Sequence, residues 1–463
     1  MSEGLRPVNP NTGEPLETIA CTPLDKIPEI VSRAAASRKS WSRTKFEDRA
    51  DLIRKVQSRF HEMADQFARS IHDEMGKPLS QAAGEVDHYT AALSEEIDFM
   101  RQALEPEDRE FKGGVTRIHY VPLGTSLIIS PWNFPFGMPL TLLIPSLLAG
   151  NTTVFKPSEI VTHTGLLLAT VFDDILPAGV FQTVTGDGEQ GKALVDSDFD
   201  LIAFVGSRGV GKTIMESAGR RACRVLLEMG GKDPMIVAHD ADLDQAAKHA
   251  VGASLRNSGQ VCCSVERIYV DKTVVDEFVR KVKSRVEKVV VGEDLESKLC
   301  IGPMSSEKQM SLVLDQIEDA IRKGATLQHG GKRLDRPGFY LQPTVLTDLN
   351  DDMKIMYDET FGPAICIQAV DSIDEAIDRA NDSRYGLTAT LWTGDEALGR
   401  ERALELEAGL VGVNGSFSGG ASGVPWAGAK ESGFGHTGGM SGMRSFLQPR
   451  SVTLRGPQAR ENS

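Results

Sequence analysis

The sequence predicts an α/β protein with two large domains built on mainly parallel sheets. Three observations carry that expectation. At 463 residues the chain is too long for one small core and fits two or three domains at ~100 to 200 residues each. Its first hundred residues show helical periodicity. Beyond them, short β-rich runs alternate with helical stretches in two successive series, which is the pattern of βαβ units.

Between about residues 25 and 103, Leu52, Ile53, Val56, Phe60 and Met63 recur at spacings of three and four, and Gly76-Lys77-Pro78 stops one helix. The first β series falls at 126–130, 152–155, 181–184, 201–205 and 224–227. The second falls at 235–237, 267–270, 364–368, 388–392 and 410–413. Residues 113–120 alternate apolar and polar side chains like an exposed strand, as do 451–454. No internal repeat or low-complexity tract interrupts the chain, and the residues from 456 to the end read as a frayed tail.

Composition is that of an ordinary globular protein. A net charge of −14 gives an acidic surface that repels phosphate backbones and anionic lipid, so neither nucleic acid nor membrane is an expected partner. No window approaches the ~20 consecutive apolar residues of a membrane span, and the first residues do not read as a leader, which makes a cytoplasmic location the expectation. The six cysteines (Cys21, Cys223, Cys262, Cys263, Cys300 and Cys366) form no disulfide framework and no metal-ligand spacing. Free thiols are expected, and no metal.

Five segments carry chemistry. Asn257-Ser258-Gly259-Gln260-Val261-Cys262 presents one thiol on a glycine-containing turn, a poor place to bury an inert cysteine. Cys263, its neighbour, reads as a packed bystander. Upstream lie Pro131-Trp132-Asn133-Phe134-Pro135, Lys156-Pro157-Ser158-Glu159 and Leu227-Glu228-Met229-Gly230-Gly231-Lys232; downstream lies Glu359-Thr360-Phe361-Gly362-Pro363. Together they offer a thiol, an amide donor and carboxylates.

In identity, order and spacing these five segments resemble the NAD(P)-dependent aldehyde dehydrogenase superfamily, from about residue 7 to about residue 456. The resemblance implies a Rossmann-type dinucleotide-binding domain (1–103 and 123–232), an α/β catalytic domain (233–435) and a small β oligomerisation arm (104–122 and 436–456), with 457–463 a tail. The alternating strands at 113–120 and 451–454 would belong to that arm, giving a homodimer or homotetramer; an ordinary solvent-faced hairpin fits them equally.

An aldehyde carbon has no hydride to release until a nucleophile adds to it. Cys262 would add to give a thiohemiacetal, which collapses with hydride transfer to a thioester. The Asn133 amide and the Cys262 backbone N–H would form an oxyanion hole, although an Asx turn is the common alternative for such an Asn. Glu228, flanked by apolar Leu226, Leu227 and Met229, would activate the water that hydrolyses the thioester. Branches of the superfamily that pass the acyl group to coenzyme A lack a glutamate there, so a free acid product is implied.

The resemblance also implies that Lys156 and Glu159 hold the adenosine ribose. The Glu159 carboxylate repels a 2′-phosphate and favours NAD, with NADP the second option. Glu359 and Phe361 match residues that hold the nicotinamide ribose and ring, Trp132 would line the cofactor cleft, and Gly206 and Ser207 match a turn facing the pyrophosphate. Arg256 matches an arginine that holds the substrate carboxylate in succinic semialdehyde dehydrogenases, but the second arginine of that clamp falls on Thr141. A semialdehyde and a neutral aliphatic or aromatic aldehyde therefore stay open. The Gly- and Ser-rich segment 414–423 would border the substrate tunnel.

Two other patterns compete. Gly206-Ser207-Arg208-Gly209-Val210-Gly211-Lys212-Thr213 satisfies the phosphate-loop pattern of an NTPase. Gly186-Asp187-Gly188-Glu189-Gln190-Gly191 spells a dinucleotide fingerprint without the acidic residue that completes it, leaving Gly188 between a cofactor contact and a plain strand-to-helix turn. A non-catalytic dinucleotide-binding protein is the remaining alternative.

Overall fold

The computed structural model describes residues 4–292, 300–417 and 422–455. Helices Ile27–Trp41, Phe46–Glu62, Ala64–Met75 and Leu79–Ala103 fill the early region. In the second, Ile53, Val56 and Phe60 are fully buried, so the three- and four-residue spacing marks the core face. Ala64–Met75 ends where expected: Gly76 takes φ +80°, the left-handed cap that glycine adopts without a Cβ penalty, and Pro78 opens the next helix. Phe60, Phe67 and Phe136 meet edge-on, with ring centroids 5.0 Å (Phe60–Phe136) and 4.9 Å (Phe67–Phe136) apart. That cluster pins the chain directly after Pro135.

Two mainly parallel sheets follow. The first has six strands in the order Gly433–Phe434, Arg224–Glu228, Leu201–Val205, Thr125–Ile129, Thr152–Lys156 and Phe181–Thr183. The second has seven: Thr326–His329, Thr344–Thr347, Ala364–Val370, Val265–Asp271, Asp233–Val237, Thr388–Trp392 and Leu410–Val413. Only Gly433–Phe434 and Thr326–His329 run antiparallel to their neighbours. Both sheets read as near-continuous apolar runs because helices cover both faces.

The strand Glu107–Phe111 pairs with Gly114–Pro122, which pairs in turn with Leu447–Arg455 in an antiparallel three-stranded sheet. The two alternating segments thus lie side by side, joined by a strand the sequence pattern did not reveal. The intervening segment is less separate than its sequence position suggested: Met443, Phe446 and Leu447 pack into the core around Phe60 and Phe136, and Gly433–Phe434 closes the edge of the first sheet at Glu228. The tail at 457–463 and part of the 414–423 segment lie outside the described residues.

Candidate active site

In the first sheet the segments singled out from the sequence all follow the carboxyl ends of parallel strands. Trp132 and Asn133 come after Thr125–Ile129; Lys156 ends Thr152–Lys156, with Glu159 just beyond; Gly188 follows Phe181–Thr183; Gly206 and Ser207 follow Leu201–Val205; Glu228 ends Arg224–Glu228. Ligands of open parallel sheets sit at that edge. Met229 to Lys232 then lead straight into Asp233–Val237 of the second sheet. This short link sets the carboxyl edge of one sheet against the amino edge of the other, where Cys262 precedes Val265–Asp271 and Glu359 and Phe361 precede Ala364–Val370.

The thiol loop is held in a costly conformation. Asn257, Ser258 and Gly259 have φ of +51°, +58° and +73°, and left-handed non-glycine residues persist only where surroundings over-determine them. Here they do. A Cβ on Gly259 would lie 2.0 Å from the Gly362 carbonyl oxygen. Ser258 Oγ donates to the Gly302 carbonyl at 2.8 Å, and the buried Gln260 amide donates to the Asn257 carbonyl at 3.1 Å while accepting from Ser305 N–H at 2.8 Å.

Asn133, 4% exposed, donates one side-chain N–H to the Gln260 carbonyl at 3.1 Å. A side-chain amide has two hydrogens, and the second makes no hydrogen bond among the described residues. The Asn133 carbonyl accepts from Asn257 Nδ2 at 3.0 Å and from Lys77 Nζ at 3.2 Å. Lys77 pairs with buried Glu85, which accepts the Phe136 and Gly137 N–H groups at 3.0 Å each. Sequence reading took Lys77 only as part of a helix stop. Its pairing with a residue eight positions on shows only in the fold.

Trp132, Asn133, Gly206, Ser207, Glu228, Cys262, Glu359 and Phe361 line one cavity of about 250 Å³, joined by Met138 and Trp426. Trp132 and Phe361 meet edge-on at 5.3 Å. Burial pushes the Glu228 carboxyl up to about 7, against a lowering hydrogen bond from Thr437. Burial, then the charge of Glu266, pushes Glu359 up to about 8. The Cys262 thiol is held well above its ordinary value by its hydrogen bond with Cys263, then by burial, the Cys263 charge and the charges of Glu228 and Asp233. Cys263 is drawn down by the same bond, with the positive charge of Arg256 adding.

The Glu359-to-Phe361 turn, where Phe361 has φ +51°, rests on a buried ion pair. Lys232 Nζ meets Glu266 at 2.6 Å and Thr360 Oγ1 at 2.8 Å, and Glu266 accepts the Thr360 and Phe361 N–H groups at 2.8 Å each. Neither Glu266 nor its role was legible in the sequence, since nothing around it forms a motif.

Other expected residues lie outside the cavity. Arg256 is exposed and borders a neighbouring cavity of about 470 Å³ with Lys77, His88, Tyr89 and Phe134; it stacks over Phe134 at 5.3 Å and makes no salt bridge among the described residues. Gly188 opens a helix whose first turn is closed by its own capping box between Asp187 and Gln190, which engages the Asp187 and Glu189 N–H groups. Gly191, one turn on, faces the Lys156 stem.

A model of the aldehyde dehydrogenase family matches residues 2–452. The chain belongs to the aldehyde dehydrogenase family. An aldehyde dehydrogenase of Paenarthrobacter nicotinovorans is 35% identical, covering 96% of this chain and 98% of that one. A succinate-semialdehyde dehydrogenase [NADP(+)] of Deinococcus radiodurans is 34% identical over 96% and 94%. The crystal structure of lactaldehyde dehydrogenase from Escherichia coli superposes with a TM-score of 0.94 at 32% identity, over 98% and 96%. The protein is thus an NAD(P)-dependent oxidoreductase that converts an aldehyde to the carboxylic acid.

For this dehydrogenase the NTPase alternative falls away. Lys212 is engaged by Glu431 at 2.5 Å, with Arg208 on the other carboxylate oxygen at 2.5 Å. No helix among the described residues is long and apolar enough to cross a membrane. The residues present fit a dinucleotide. Among the described residues the Ser207 side chain caps nothing, and the first-turn N–H groups of Arg208–Gly219 have no side-chain acceptor. A Cβ on Gly230 would lie 2.2 Å from the Glu359 carboxylate, which closes against the glycine backbone there. The buried Lys156 ammonium donates only to the Pro157 carbonyl, at 3.2 Å, among the described residues, leaving donors for hydroxyls.

Proposed function

We propose that Cys262 is the nucleophile, Glu228 the general base and Asn133, with the Cys262 N–H, the oxyanion donor. The observation that carries this reading is that the three side chains line one cavity where the two sheet edges meet. Bound NAD(P) supplies the hydride acceptor. The Cys262 thiolate adds to the aldehyde carbon, the second Asn133 N–H would stabilise the oxyanion that forms, and loss of the carbon-bound hydride to that acceptor would leave the thioester on Cys262. Water then adds to the thioester carbon, its proton passes to Glu228, the C–S bond breaks, and the acid and the Cys262 thiolate separate.

Trp132, Gly206, Ser207, Glu359 and Phe361 would hold the nicotinamide half and the pyrophosphate, and Lys156 and Glu159 the adenosine ribose, with Gly188 shaping the turn beside Lys156. NAD is the preferred cofactor in this reading. Burial lowers the Lys156 ammonium below its ordinary range, and the charge of exposed Glu159 opposes that shift; the same carboxylate beside Lys156 would repel a 2′-phosphate. NADP remains in use among relatives, as the name of the Deinococcus radiodurans enzyme states. A second reading concerns substrate. Arg256, with no carboxylate partner among the described residues, suits an aldehyde with an anionic far end, such as a semialdehyde; a neutral aliphatic or aromatic aldehyde is the alternative.

The three-stranded sheet, with Phe111, Val452 and Leu454 exposed, is read as the arm of a homodimer or homotetramer. A cytoplasmic location, where reducing conditions keep Cys262 a thiol, belongs to the same proposal. The deciding experiment follows nicotinamide reduction over a panel of aldehydes, with NAD and NADP in parallel, for the wild type and Cys262→Ala. Signal with NAD that vanishes in the variant is expected; turnover that survives Cys262→Ala would remove the nucleophile assignment.

A further inference from the structure

Glu228 is 8% exposed at the end of its strand, and among the described residues its carboxylate receives one side-chain hydrogen bond, from Thr437 Oγ1 to Oε1. Thr437 is itself 5% exposed and lies between the edge strand Gly433–Phe434 and the helix Gly439–Arg444. Its backbone is bridged both ways to Trp426, with Trp426 N–H donating to the Thr437 carbonyl at 2.7 Å and Thr437 N–H donating back at 3.0 Å. Trp426 lines the cavity of Cys262.

Thr437 is closely packed as well as hydrogen-bonded. Gly435, Gly438 and Gly439 take φ of +82°, +78° and +60°, and a Cβ on Gly442 would lie 2.3 Å from the Thr437 carbonyl carbon. The same segment is tied to Glu228 through the strand, because Gly433 is its register partner. A hydroxyl fixed in this way presents its proton at one point.

We propose that Thr437 is a positioning residue for hydrolysis: its hydroxyl holds Oε1 of Glu228, which leaves Oε2 to accept the proton of the water attacking the Cys262 thioester. The inference rests on the general-base reading of Glu228. A hydrogen bond donated to the carboxylate favours the charged, base-competent form, which opposes the burial that pushes Glu228 upward. Threonine suits the role because its β-branched side chain has restricted χ1 and its hydroxyl donates without adding charge to a buried site.

The test uses the intact enzyme with NAD and two probe aldehydes, hexanal and succinic semialdehyde. Thr437→Val removes the hydroxyl at nearly constant shape; Thr437→Ser keeps it. In rapid mixing the first-turnover burst of NADH reports acylation. The later steady rate, together with the acyl-enzyme found by mass spectrometry of quenched protein, reports hydrolysis. Expected for Thr437→Val is an unchanged burst rate, a steady rate lower by about tenfold or more, accumulated acyl-enzyme, and a pH midpoint of hydrolysis moved upward. Thr437→Ser restores the rate and the midpoint.

Equal losses in burst and hydrolysis, or no change in either, would overturn the inference. Should Thr437→Val fail to fold, Thr437→Ala against Thr437→Ser makes the same comparison. Glu228→Gln is run beside them. If it hydrolyses normally, the base reading fails; if it accumulates acyl-enzyme while Thr437→Val does not, only the positioning role fails.

Discussion

The Asn133 side-chain amide donates to the Gln260 carbonyl at 3.1 Å, which ties the loop after the first strand of one sheet to the loop that carries Cys262 on the other. One N–H sets the distance between the two halves of the site, and Asn133 itself lines the cavity. Asn133→Ala is expected to lower kcat by roughly a hundredfold or more, from the loss of an oxyanion donor worth about 3 kcal/mol. Cys262 alkylation by iodoacetamide separates the two roles: little change in its rate indicates a lost donor, and a large change indicates a displaced thiol loop.

Hydrolysis of the acyl-enzyme is expected to rise with pH through about 7 and level off above, because burial pushes Glu228 up to about 7 and only the carboxylate accepts a proton. The stability contribution has the opposite slope. A carboxyl with a raised native pKa binds its proton more tightly folded than unfolded, so stability is greatest below the ordinary carboxylate range and is lost as pH rises through about 7. Glu228→Gln should flatten both profiles. Stopped-flow rates and thermal melts across pH check this, and an unaltered hydrolysis profile would assign that limb to another group.

Glu266→Ala leaves the Lys232 charge buried and frees two backbone N–H groups of the Thr360–Phe361 turn. A loss of about 3 to 5 kcal/mol of stability is expected. The KM for NAD should rise as well, since the turn also carries Glu359 and Phe361. Denaturant melts and cofactor titration measure the two effects, and a change in stability alone would show that the cofactor does not lean on this turn.

Arg256→Gln is expected to raise KM for succinic semialdehyde by about tenfold or more while leaving hexanal nearly unchanged, if Arg256 holds an anionic far end. Equal effects on both aldehydes would remove that role. The comparison is informative because Arg256 borders a cavity next to that of Cys262 rather than the same one.

Much of the fold was legible because buried parallel strands are short apolar runs with sharp ends. Leu201–Val205, Thr388–Trp392 and Leu410–Val413 fall where the pattern put them. Glu107–Phe111 was invisible, since Glu-Asp-Arg-Glu-Phe has no alternation and one apolar residue; its place comes from backbone pairing with Gly114–Ile118 and the two bonds of Arg117 to Asp108, at 2.8 and 2.7 Å. At the site, Cys262, Asn133 and Glu228 sit in recognisable motifs. Lys77, Glu85, Glu266 and Thr437 do not, because each acts through a partner distant in sequence and looks like an ordinary surface residue or turn until the chain folds.

The closing of the first sheet by Gly433–Phe434 makes the two lobes inseparable as folding units. A fragment ending at Lys232 would lack the strand that covers Arg224–Glu228, and with it Met443, Phe446 and Leu447 from its core. It would carry an open, largely apolar edge of the kind that pairs with other chains. The late segment therefore acts as a clasp: chain synthesis must be almost finished before the early lobe can be completed, and Glu228 is walled in at the same moment.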